Sequence, residues 1–93
     1  MRKLGWDDIG SYESLYQMSQ KDASGNVSRG DNILIESNKN FVRTSTKPVV
    51  LVGVDDMIVL ETKNAILIIP RDRAQDVKKA VDYLKEKGRS ELL

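Results

Sequence analysis

Residues 5–17, GWDDIGSYESLYQ, set Trp6, the adjacent carboxylates Asp7 and Asp8, and Gly10 directly ahead of an amphipathic run. A helix N-terminus carries partial positive charge and attracts anions, and a carboxylate beside it can hold a cation. Neighbouring side chains of an extended segment point to opposite sides. Asp7 and Asp8 therefore cannot face each other as the acid/base pair that straddles a glycosidic bond. One can face a pocket while the other caps or is solvated. A single inward carboxylate beside helix amides is half a site for Mg2+ and phosphate, because Mg2+ takes one or two carboxylates and completes its shell with water and phosphate oxygens. The simpler alternative is a helix-capping loop with Trp6 as its hydrophobic anchor.

Other charged clusters carry less. The second acid pair, Asp55 and Asp56, stands between two apolar runs, where Asp-Asp is ordinary turn chemistry. Arg71, Asp72 and Arg73 near a helix start could hold an anion, but the expected outcome is exposed ion pairs worth ~0 to 1 kcal/mol. KKAVDYLKEKGR mixes acids with its bases and reads as a solvated face. No Gly-rich phosphate loop is present, and SGN and RGD are isolated turns.

Composition narrows the chemistry further. The 93 residues suffice for one domain and one core. With no histidine, the commonest general base and zinc ligand is missing; with no cysteine, disulfides and thiolate metal sites are excluded. A net charge of +1 gives no basic excess for nucleic acid or an anionic membrane. No apolar stretch reaches the ~20 residues of a membrane span, and MRKLGW lacks a signal-peptide core, so the cytoplasm is the expected compartment.

The elements that must position these groups follow from periodicity. Tyr12, Leu15, Tyr16 and Ser19 share one helical face, and with Gly10 as N-cap, Glu13 falls at N3, suited to the positive end of the dipole. KDASGNVSRGD is expected to be a connector. Five short apolar runs then begin at residues 33, 41, 49, 57 and 65, separated by turn residues. They predict a small β unit, and a hairpin meander and a coiled β-helix both suit the spacing, although the six-residue period of an ideal left-handed β-helix is absent. A helix over 72–87 closes the chain. Asp72 and Gln75 form a capping-box-like pair; Ala74, Val77, Ala80, Val81 and Leu84 form its apolar stripe, and Gly88 ends it. GRSELL is expected to run out from the helix.

Two long stretches also resemble a known family. GWDDIGSYESLYQMSQKDASGNVSRGD resembles the G-W-x-D-[VI]-G-[ST] pattern and following D-x-x-G-N-V-x-x-G-D stretch of bacterial mannose-1-phosphate guanylyltransferases. VGVDDMIVLETKNAILIIPRDRAQDVKKAVDYLKEKGRSEL resembles the strand pair and closing helix of that family's C-terminal region. The resemblance implies the reaction of GTP with mannose 1-phosphate to give GDP-mannose and pyrophosphate, assisted by Mg2+. It implies a metal-holding role for Asp8, and a sugar-phosphate role for Trp6, Gly10 and Ser11. Asp7 stands at the variable position and receives no role, and Tyr12 replaces the tryptophan common after Ser11. The family's Gly-rich nucleotide loop belongs to an N-terminal domain absent from these residues, so the isolated chain is expected to be inactive. In some members a cupin-type isomerase domain follows.

The expected fold is therefore mainly β with flanking helices: a short left-handed β-helix-like unit of about five strands, one N-terminal helix and one C-terminal helix. Residues 1–31 would form the end of the nucleotidyltransferase site and its connecting helix, and 32–93 the β-helix-like domain. Expected partners are the missing nucleotidyltransferase domain, GTP and mannose 1-phosphate, with a homodimer as candidate assembly and neither nucleic acid nor membrane. The competing function is a non-catalytic module for oligomerisation or partner binding.

Overall fold

A computed structural model of the chain describes Trp6 and residues 10–93. Each apolar run predicted as a strand contains one, and alternate strands stack on alternate sides of a coil. In chain order these are β1 (Val27–Arg29), β2 (Ile33–Ile35), β3 (Phe41–Arg43), β4 (Val50–Val52), β5 (Met57–Glu61) and β6 (Ile66–Pro70). β1, β3 and β5 are parallel neighbours in one sheet, with Val27 opposite Phe41 and Phe41 opposite Ile58. β2 and β4 form a second parallel sheet, with Ile33 opposite Val50. The unit is thus a short β-helix. Among the described strands only β6 turns back, forming an antiparallel hairpin with β5.

The connector assigned to 21–31 is corrected: it contributes β1, in register with β3. Its single valine, between turn residues, gave no alternation to read. The missing six-residue period has a structural cause as well. Asn26 and Asn40 stack with a spacing of 14 residues, whereas Asn38 and Asp55 stack with a spacing of 17. Unequal corners erase the repeat while the strands stay in register.

Two cores follow from which strand faces are covered. Inside the coil, Val42, Leu51 and Val59 pack with Leu34, Val49 and Val54. On the outer face of the larger sheet, Val27, Phe41, Ile58, Leu60, Leu67 and Ile69 pack under two helices. β5 is covered on both sides, so Ile58, Val59 and Leu60 are all buried. β2 and β4 are covered on one side only, which leaves Ile33, Ile35, Val50 and Val52 exposed.

The coil's polar corners are closed by buried amides. Asn40 Nδ2 donates to Val54 O at 2.7 Å and to Asn26 Oδ1 at 3.1 Å, while Asn40 Oδ1 accepts from Met57 N at 2.9 Å. Asn26 Nδ2 donates to Ser37 O at 2.8 Å. A ladder of this kind satisfies the backbone groups that strand pairing leaves open at each bend.

The first helix, α1, spans Gly10–Met18 and buries Tyr12 and Tyr16, as its periodicity predicts; Tyr12 meets Phe41 edge-on at 5.3 Å between ring centroids. The second, α2 (Val77–Glu86), carries the predicted stripe, with Val77 and Val81 buried. Its expected start is corrected. Residues 71–76 form a 3₁₀ segment with a kink at Arg73, and no side chain caps it, so Asp72 and Gln75 form no capping box. Pro70 fixes an extended entry, and Asp76, at the start of α2, pairs with Arg73 and Lys79 instead. Past α2, Arg89 N bonds Leu84 O at 2.7 Å and Gly88 N bonds Lys85 O at 3.1 Å, a Schellman closure. GRSELL does not run out: Ser90–Leu92 makes a further 3₁₀ turn, tied by Asn64 Nδ2 to Glu91 O at 2.7 Å.

Candidate functional site

Three residues on one corner of the coil hold left-handed backbone: Gly25 at φ 82°, Lys39 at φ 59° and Asp56 at φ 59°. The strand registers stack them in successive turns. Each carbonyl on this corner accepts a bond. Tyr16 Oη donates to Gly25 O at 2.6 Å, Arg71 Nη1 to Lys39 O at 3.0 Å, and Arg71 N to Asp56 O at 2.8 Å. The remaining donors of Arg71 point at α1: Nη2 lies 2.9 Å from Glu13 Oε2 and Nε 3.2 Å from Glu13 Oε1. Its guanidinium carbon lies 3.7 Å from the centroid of the Tyr16 ring. One arginine therefore joins helix, ring and coil corner.

Arg71 corrects the expectation of an exposed ion pair. Its side chain is only 16% exposed, and its hydrogen bonds hold the Glu13 carboxyl below the ordinary carboxylate range. Arg73 does form the exposed pair, with Asp76. Nothing local in the sequence marks the difference, because Glu13 lies 58 residues from Arg71.

Of the predicted site residues, Gly10 and Ser11 stand in the first turn of α1 and Trp6 in the core that α1 covers. Gly10 opens the helix and Ser11 is exposed in its first turn. Trp6 is buried in the outer core with Tyr12 and Tyr16, as the anchor reading requires. Its indole N–H has no hydrogen-bond partner among the described residues. A buried donor without a partner costs about 1–3 kcal/mol, so an acceptor brought to it gains correspondingly. Asp8, the expected metal ligand, and Asp7 lie outside the described residues. Among those described, no group of three or more Asp and Glu side chains is arranged to hold a metal ion. The donors described at this end, the first-turn amides of α1 and the Trp6 N–H, fit an anion, and a cation beside it would need the carboxylate of Asp8.

Beside Arg71 lies a cleft of about 640 Å³, lined also by Glu13, Asp55, Asp56, Met57, Pro70 and Asp72. Asp55 and Asp56 form the predicted turn: Asp55 Oδ1 accepts from Asn38 N at 2.9 Å, and Asp56 is a left-handed corner.

Comparison with known proteins gives a consistent picture. Residues 30–84 match the family described as MannoseP isomerase/GMP-like beta-helix domain. The chain is 42% identical over 86 residues to a mannose-1-phosphate guanylyltransferase of Klebsiella pneumoniae, covering 92% of this chain and 18% of that protein. It is 44% identical over 87 residues to the alginate biosynthesis protein AlgA of Pseudomonas aeruginosa, covering 94% of this chain and 18% of that protein. A mannose-1-phosphate guanylyltransferase of Escherichia coli K12 is likewise 44% identical over 87 residues, with the same coverage of 94% and 18%. The chain thus spans about a fifth of the length of the curated relatives it matches, in their C-terminal region. A crystal structure described as a mannose-1-phosphate geranyltransferase, from Thermus thermophilus, superposes with a TM-score of 0.71 at 25% identity, covering 85% of this chain and 24% of that one.

Proposed function

Because the chain belongs to the MannoseP isomerase/GMP-like beta-helix domain family, we propose that it serves as the C-terminal part of a mannose-1-phosphate guanylyltransferase. The observation that carries this reading is identity of 42–44% across nearly the whole chain to the same C-terminal region of such enzymes. Trp6, Gly10 and Ser11 would then form one wall of a sugar-phosphate pocket, with GTP held on the nucleotidyltransferase domain opposite. The helix end of α1 favours the phosphate's negative charge, and the Trp6 N–H, without a partner among the described residues, is a donor an oxygen could use.

In this reaction the phosphate oxygen of mannose 1-phosphate attacks the α-phosphorus of GTP, and the bond to the pyrophosphate leaving group breaks. A phosphate monoester is already anionic near neutral pH, so a chain without histidine is compatible with the chemistry. Mg2+, when bound in such an enzyme, offsets charge on the phosphates. Asp8 is the residue we assign to it.

A fusion tests the reading directly. This chain, joined to the nucleotidyltransferase part of the Escherichia coli K12 relative in place of the matching segment, should release pyrophosphate and form GDP-mannose. A folded but inactive fusion would count against it. In the active fusion, Asp8→Asn should lower kcat by about a hundredfold or more, the loss of several kcal/mol of transition-state stabilisation. Asp7→Asn should change it little, and equal losses would show that the wrong carboxylate is assigned.

The exposed row Ile33, Ile35, Val50 and Val52 favours a second reading, an association module that acts without catalysis. Contiguous exposed apolar groups mark contact surfaces more often than chance. Sedimentation of the isolated chain would show a concentration-dependent dimer that Val50→Lys abolishes. A monomer at all concentrations removes support for homodimerisation through this face.

A further inference from the structure

We propose that Arg71 is a positioning residue for the site segment at the start of α1, an inference that rests on assigning that segment to the sugar-phosphate pocket. α1 has nine residues, and isolated helices of that length are marginal in water, so tertiary contacts decide where it lies. The corner column supplies those contacts. Lys39 and Asp56 hold left-handed backbone without being glycine, a conformation that L side chains disfavour. That conformation aims their carbonyls at Arg71, one at its Nη1 and one at its backbone N–H.

With its remaining donors Arg71 grips Glu13, while its face lies against Tyr16. Glu13 is one helical turn from Gly10. Any shift of Glu13 therefore carries Gly10 and Ser11 with it, because a hydrogen-bonded turn moves as a unit. The coil sets the position of Arg71, and Arg71 sets the position of the site wall. Lysine cannot substitute fully, since one ammonium lacks the planar fork that engages a carboxylate and a carbonyl together and stacks on a ring.

Trp6 makes the coupling measurable in the isolated chain, because it is the single tryptophan and is 6% exposed. Acrylamide quenching of its emission should be read well below the unfolding temperature. Arg71→Met should raise the quenching constant about twofold or more by local opening of the segment, with Arg71→Lys intermediate. Arg73→Met, which removes only an exposed pair with Asp76, should leave it unchanged. If Arg71→Met fails to fold, Glu13→Gln carries the same test, since it weakens the grip without touching the coil.

The active fusion supplies the second readout. There Arg71→Met should lower kcat by about tenfold or more with the KM for GTP unchanged, as expected for a displaced reacting group. Arg71→Lys should recover part of the loss. Unaltered Trp6 quenching in Arg71→Met, or an equal change in Arg73→Met, overturns the positioning role. With kcat referred to the folded fraction, its loss in step with a raised KM for GTP would point to a disturbed nucleotide site rather than a displaced sugar phosphate and also overturns it. An inactive wild-type fusion would fail the guanylyltransferase reading alone, and the quenching result would still decide whether Arg71 positions the segment.

Discussion

At the scale of single residues, stability rests on polar side chains that finish what the strands leave undone. Asn40 is fully buried, donates to Val54 O and accepts from Met57 N. Asn40→Ala would leave Met57 N without this partner and Val54 O with the bond from Asn38 N alone. At about 1–3 kcal/mol for an unsatisfied buried group, urea unfolding should show a loss of about 1–3 kcal/mol. Glu61 acts on the opposite rim, where its carboxylate accepts from Ser45 N at 2.9 Å, Thr46 N at 3.1 Å and the Thr46 hydroxyl. The Thr46 hydroxyl, followed by these backbone bonds, lowers its pKa from 4.5 to about 2. Because the folded value is the lower one, its contribution is present above pH 4.5 and disappears as pH falls toward 2. Glu13 is depressed mainly by its hydrogen bonds to Arg71. Asp22 is raised by burial but lowered more by bonds from Asn26, Ser24 and Gly25. Both add to the same acid limb. Denaturant midpoints measured between pH 6 and 2 should decline through that window, and Glu61→Gln should flatten the decline.

Among the elements, the coil is held by close approach between successive turns. Gly30 has φ 115°, and a Cβ placed there would meet Thr44 Oγ1 at 2.5 Å and Thr44 O at 2.6 Å. The backbone oxygen cannot rotate away, and Thr44 Oγ1 is committed to Asn32 Oδ1 at 2.7 Å. Gly30→Ala should therefore cost about 2 kcal/mol or more, from overpacking added to a left-handed alanine. Gly88→Ala, at φ 70° with nothing within 4 Å, should pay the conformational cost alone, about 1–2 kcal/mol. Equal losses in the two variants would mean that the approach of Gly30 to Thr44 carries no energy. The helices obey a different rule. The stripe of α2 was readable from the spacing of Val77, Ala80, Val81 and Leu84, but its first turn was not. Pro70 and the kink at Arg73 moved the α-helical start to Val77.

Considered as a whole molecule, the described residues have one helix-covered face, where the proposed site segment lies at α1, and one open face on β2 and β4. The sequence holds no Gly-rich phosphate loop. Titration calorimetry of the isolated chain with GTP and Mg2+ should give no heat of binding. Micromolar affinity would place the nucleotide site within these residues and revise the proposed division of labour between domains.

Local pattern in the sequence determined the positions of five strands, the buried faces of both helices, the turn at Asp55 and Asp56, and the family resemblance carried by GWDDIGS. These depend on neighbours within a few residues, through alternation, helical spacing and turn chemistry. Tertiary structure decided what periodicity left open: that the strands coil in parallel, as the family resemblance implied, that β1 joins them, and that Asn26 and Asn40 are buried rungs rather than simple turn residues. It also decided that Arg71 is an anchor while Arg73 remains a surface charge. The physical reason is distance along the chain. Rungs pair residues 14 or 17 apart across corners of unequal length, and Arg71 meets Glu13 across 58, so neither contact leaves a period or a local signal for a reader of the sequence to find.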